Sequence, residues 1–113
     1  MKKILFAALL LASSAFAADF NPVGEYKYTE YGKELPQKCE FYAGGTCLYQ
    51  KETWNWKADG DKYELRHKNA HGKDIVETFK REGNSLRLTH INGGKVDNAD
   101  NVVLVKKEGD DHK

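Results

Sequence analysis

The sequence predicts an all-β protein, a small antiparallel meander of seven to eight strands forming a closed or partly closed up-and-down barrel with one disulfide. Three observations carry this. Turn chemistry recurs at Ala58-Asp-Gly60, Asn69-Ala-His-Gly72, Glu82-Gly83-Asn84 and Asn92-Gly93-Gly94, with glycine steps of 12, 11 and 10 residues, room for one strand and one turn each time. The segments between the turns alternate apolar and polar residues with a period of two. After the first 17 residues no segment carries a 3.6-residue apolar period. Such a strand set builds a sandwich or a barrel; sequential hairpins favour the barrel, because closure removes two exposed edges.

The elements follow in chain order. Met1 to Ala17 joins Lys2 and Lys3 to an apolar run, Ile4 to Ala12, and a small-residue exit at Ala15-Phe-Ala17, the three parts of a secretory signal peptide. The run is too short for a bilayer, which takes about 20 residues. The expectation is cleavage near Ala17 and a soluble periplasmic or secreted product without a membrane span. Residues 18–107 then form a single all-β domain and 108–113 a polar tail. Tyr26 and Tyr28 share one face of a first strand that ends at Gly32. Lys33 to Lys38, containing Pro36, reads as a connection, Cys39 to Tyr42 as a second strand, and Thr46 to Ala58 as a third. In the third strand Leu48, Trp54 and Trp56 share a parity that Gln50 and Glu52 interrupt, which predicts a bulge there. Lys62 to Lys68, Lys73 to Arg81, Ser85 to Ile91 and Asn101 to Lys106 complete the meander.

Val23-Gly-Glu-Tyr-Lys27 resembles the Gly-x-Trp/Tyr opening of calycin-type barrels, the lipocalin and fatty-acid-binding group, and Val76-Glu-Thr-Phe-Lys-Arg-Glu-Gly-Asn84 resembles the hairpins of its small intracellular members. The resemblance implies a barrel with an interior ligand.

Charge excludes one class of partner. Once Lys2 and Lys3 leave with the signal, 16 basic residues face 17 acidic ones, and the signs alternate along the chain. Nothing here attracts nucleic acid. In an exported chain, Cys39 and Cys47 read as a disulfide closing a nine-residue hairpin loop, with about 2.5 kcal/mol of unfolded-state restriction.

Catalytic motifs are absent. Ser85, the one serine after the signal, lacks a G-x-S-x-G setting, and there is no P-loop or dinucleotide fingerprint. No cofactor is expected. His67, Glu77 and His90 each follow apolar residues of the same parity, so all three would point inward as a speculative metal or proton-transfer set, against the plainer reading of rim histidines and an outward Glu77. The leading expectation is a monomeric binding module without catalysis, taking a small apolar or aromatic ligand near Tyr26, Tyr28, Trp54 and Trp56. The alternative is an inhibitor or immunity-type protein that meets a protein partner through the stapled 39–47 loop, with Phe41, Tyr42, Gly44, Gly45 and Tyr49 as contact residues.

Overall fold

A computed structural model describes residues 20–107; the expected signal segment and the polar tail after Lys107 lie outside the described residues. The strands are β1 (Gly24–Glu30), β2 (Lys33–Phe41), β3 (Thr46–Tyr49), β4 (Glu52–Asp59), β5 (Lys62–Lys68), β6 (Asp74–Glu82), β7 (Ser85–Ile91), β8 (Gly94–Lys95) and β9 (Val102–Lys106). They lie in the order β6-β5-β4-β3-β2-β1-β9-β7-β8, and a β6–β7 pairing closes the sheet. Every ladder is antiparallel. The result is a closed eight-strand barrel with β8 as a short extra strand beside the end of β7. Among the described residues no helix is long and apolar enough to cross a membrane.

Period-two alternation becomes an inside and an outside. Tyr26, Tyr28, Phe41, Tyr49, Leu65, Phe79, Leu86, Leu88 and Leu104 are at most 1% exposed and fill the barrel, joined by Trp54, Tyr63 and Val102. An eight-strand barrel is just wide enough for side chains to occupy its interior. Aromatic rings take most of that space: Tyr49 meets Tyr28, Trp54 and Phe79 with ring centres 5.9, 5.0 and 5.8 Å away.

The up-and-down path gives the barrel two ends. The upper end carries the turns β1–β2, β3–β4, β5–β6 and β7–β8; the lower end carries β2–β3, β4–β5 and β6–β7. The chain entering β1 covers the lower end. Phe20 stands edge-on to Tyr63 at 6.2 Å and under the Arg81 guanidinium at 4.5 Å, Lys106 Nζ donates to the Asn21 carbonyl, and the Tyr26 hydroxyl donates to the Pro22 carbonyl at 2.6 Å.

Three sequence expectations need correction. Lys33 to Lys38 is the first part of β2, not a connection. Pro36 is accommodated because the β1–β2 register jumps from Tyr26↔Cys39 to Tyr28↔Leu35, an irregularity in which a missing ladder donor costs little. Thr46 to Ala58 is two strands, because the chain reverses at Gln50 and Lys51, with φ of 53° and 66°. That reversal, and no bulge, resolves the parity conflict: Cys47 and Tyr49 face inward before it and Trp54 after it.

The third correction concerns the cysteines, which are free thiols and form no disulfide. Cys47 sits directly opposite Phe41, so Cys39 is its diagonal neighbour on the inner face. Diagonal partners are about 7–8 Å apart, beyond the roughly 4.4–6.8 Å between Cα atoms that a disulfide spans. Burial pushes both thiols up to about 12. The β2–β3 loop is held by hydrogen bonds instead. Trp56 donates its backbone N–H to the Gly45 carbonyl at 2.9 Å and its indole N–H to the Tyr42 carbonyl at 3.1 Å.

Candidate functional site

The upper end collects the features that ordinary packing does not favour. Among the described residues, the non-glycine positions with left-handed backbone are Tyr31, Gln50, Lys51 and Asn92, all in upper turns. Turns at the lower end place Gly45, Gly60 and Gly83 at positive φ. Asparagine tolerates this conformation, but for the other three side chains it costs about 1–2 kcal/mol each. Among the described residues, two of the three exposed large hydrophobic side chains, Tyr31 at 63% and Ile91 at 38%, belong to the same end.

Beneath these turns lies a polar cluster in an aromatic setting. Glu77 faces inward from β6, opposite Leu65, and is only 7% exposed. The Tyr49 hydroxyl donates to its Oε1 at 2.6 Å. Burial pushes the Glu77 carboxyl above the ordinary carboxylate range, and the Tyr49 bond partly opposes that push. The Tyr49 hydroxyl is itself raised, first by burial and then by the neighbouring carboxylate. Next to it, the Tyr28 hydroxyl donates to Glu30 Oε2 at 2.6 Å and accepts from Gln50 Nε2 at 2.8 Å. The strained turn thus delivers the Gln50 amide to the end of the Tyr28 ring. His67 stacks on Trp54 with ring centres 4.9 Å apart and sets Nε2 3.4 Å from Glu52 Oε1 at the rim. The Trp54 indole N–H, buried in the same region, meets no acceptor among the described residues. A buried donor without a partner is uncommon in folded proteins.

The residues singled out in the sequence separate accordingly. Tyr26 and Tyr28 are each 1% exposed and Trp54 is 4% exposed, so their rings fill the barrel interior; Tyr26 and Tyr28 also border a cleft of about 300 Å³ between β1 and β2. Trp56 is half-buried between Phe41 and Tyr63. Of the loop residues, Phe41 and Tyr49 are wholly buried, which leaves Tyr42, 39% exposed, with Gly44 and Gly45 as the accessible tip.

His67, Glu77 and His90 do not converge. His67 and Glu77 share the inner face, as the alternation predicts. A bulge then makes Phe79 face Leu88 while Thr78 faces His90, so His90 turns to the outer wall with Thr78. Among the described residues no group of three or more His, Cys, Asp or Glu side chains could hold a metal ion. Glu30, Gln50 and Glu52 were not singled out by sequence. The available signal was the pair Gln50 and Glu52 breaking an apolar parity, which marks a chain reversal as well as it marks a bulge.

No protein-family model, no curated protein and no solved structure matches this chain.

Proposed function

We propose that this chain is an exported binding module without catalysis of its own, and that it recognises a protein partner with the upper rim of its barrel. The observation that carries the reading is the gathering of unfavourable terms at one end: three strained non-glycine turn residues, a buried carboxylate, an unpaired indole N–H and two exposed hydrophobic side chains. Proteins retain such departures where binding or chemistry requires them. The opposite end has no non-glycine turn residue at positive φ among the described residues and is covered by Phe20. A rim with Tyr31 and Ile91 standing out supplies the aromatic and aliphatic anchors that dominate protein interfaces, and its tight two-residue turns lower the ordering cost of binding.

This differs from the interior-ligand reading that the calycin resemblance implies. A ligand among Tyr26, Tyr28 and Trp54 would first have to displace rings that are at most 4% exposed. The lower loop keeps a claim as a second contact surface, because Trp56 ties it down and Tyr42 is accessible.

The test is capture from the native exported fraction, followed by identification of the bound protein and a direct affinity measurement. The double variant Tyr31→Ser, Ile91→Ser should bind at least tenfold more weakly, while Tyr42→Ser binds as the parent does. Loss confined to Tyr42→Ser moves the interface to the lower loop. A co-purifying small molecule in native mass spectrometry, with no captured protein, restores the interior-ligand reading.

A further inference from the structure

The ladder between β1 and β2 opens where its register jumps. Tyr26 pairs with Cys39 and Tyr28 with Leu35, so a single residue of β1, Lys27, faces three of β2, Pro36, Gln37 and Lys38. Gln37, in the middle of the three, has no ladder partner in β1, and its side-chain oxygen is buried without a donor among the described residues. Few buried polar atoms of a folded protein stay unpaired. The widened ladder holds a cleft of about 300 Å³ with Tyr26, Tyr28 and Cys39 on its inner side. Irregularities that end strand pairing in this way recur next to functional sites.

The charges at the cleft balance, but they are not all engaged. Counting Glu40, which Lys38 contacts, three carboxylates (Glu25, Glu34 and Glu40) meet three ammonium groups (Lys27, Lys38 and Lys107). Glu25 lies 3.9 Å from Lys38 and 3.5 Å from Lys107, and Glu40 lies 3.7 Å from Lys38. One cation and one anion of the cleft, Lys27 and Glu34, make no ion pair among the described residues. Glu34 stands directly opposite Thr29, which makes Lys27 its diagonal neighbour. Diagonal positions are about 7–8 Å apart even in a regular ladder. The two exposed side chains therefore flank the cleft with opposite signs and do not neutralise each other.

We infer that this cleft binds an α-amino acid as its zwitterion, the carboxylate on Lys27 Nζ and the ammonium on Glu34, beside the Gln37 amide. A ligand with a single charge would leave one of the two side chains without a partner. A zwitterion gives each of them a charge-assisted hydrogen bond of about 2.7–2.9 Å. The Gln37 amide carries both an acceptor and donors, and an amino acid offers the complement of each. Ligand pockets run from about 300 to 1,000 Å³, so a cleft of this volume suits a small ligand. Leu35 and Pro36 at its edge give an apolar side chain something to lie against. The site is on the barrel wall between β1 and β2 and goes beyond the proposal made for the upper rim.

The experiment titrates the folded protein with leucine at neutral pH and low salt, following backbone amide resonances. The expected result is saturable shifts confined to 25–28 and 34–39. Affinity should fall by about fivefold in Lys27→Gln and in Glu34→Gln, the worth of one good exposed ion pair, and stay unchanged in Lys57→Gln. N-acetylleucine, which lacks the ammonium, and leucinamide, which lacks the carboxylate, should each bind the parent more weakly than leucine by a similar factor. The double exchange Lys27→Glu, Glu34→Lys keeps both charges and should bind leucine more tightly than either single variant. Both single variants should melt as the parent does, since each alters an exposed side chain. Shifts that stay linear in concentration or spread over the whole surface would overturn the assignment, as would binding that survives both substitutions or is equally strong with N-acetylleucine. Equal or tighter binding of the dipeptide Gly-Leu, whose charges stand farther apart, would overturn the assignment to a single amino acid.

Discussion

Replacing Tyr49 with phenylalanine removes one oxygen and keeps the ring that Tyr28, Trp54 and Phe79 pack against, so it isolates the bond to Glu77. Tyr49 is wholly buried and Glu77 nearly so; their 2.6 Å contact is therefore a hydrogen bond to a buried carboxylate. Hydrogen bonds to charged groups contribute about 1.5–3 kcal/mol, against about 0.5–1.5 for neutral ones. The variant should lose about 2 kcal/mol at neutral pH, which for a domain of this size is a fall of roughly 8–16 °C in Tm.

The pH dependence has a definite sign. Burial raises the folded-state Glu77 value above its unfolded value, so the ionised carboxylate destabilises the native state at pH above the raised value. That destabilisation is relieved as pH falls through the raised value and is absent below the unfolded one. The Tyr49→Phe deficit should shrink over the same interval, because a protonated carboxyl offers only a neutral hydrogen bond. Glu77→Gln keeps an acceptor for Tyr49 and cannot ionise, so it should be at least as stable as the parent at neutral pH and show no relief on acidification. Urea unfolding followed by tryptophan fluorescence reads both variants and their double mutant. A Tyr49→Phe deficit under about 0.5 kcal/mol, or one that does not change between neutral and acidic pH, would refute the reasoning.

Three further outcomes are expected. Both thiols, raised by burial to about 12, should resist alkylation in the native protein at pH 8 and react as two after denaturation; an unfolded protein without reactive thiols would contradict the free-cysteine structure. Lys51→Gly should stabilise the chain by about 0.5–1 kcal/mol, since relief of left-handed strain outweighs the greater entropy of glycine in the unfolded chain; an unchanged or lower thermal midpoint would count against the strained turn. Phe20→Ala should cost about 2 kcal/mol, less than a fully buried phenylalanine, because the ring is half-buried between Tyr63 and Arg81. Chemical denaturation measures it, and an unaltered midpoint would mean that the lower end does not depend on Phe20.

The all-β class, the meander and most strand limits were legible because they depend on local signals: glycine turns at regular spacing and apolar residues every second position. The later hairpins, with Gly60, Gly72, Gly83 and Gly93, follow that rule. The reversal at Gln50 and Lys51 was hidden, because its left-handed backbone is imposed by the barrel on residues with no preference for it. The inward positions of His67 and Glu77 follow from parity, whereas that of His90 fails at a bulge that no single strand announces. Sequence also supplied two cysteines near in number, but whether they could join was a matter of register between β2 and β3, which made them diagonal. The same holds for Lys62, Lys80 and Arg87, which are far apart along the chain and adjacent only after three strands align. Local composition thus decided which segments became strands. Pairing register and closure decided which side chains meet, because those depend on contacts between residues that the chain order keeps apart.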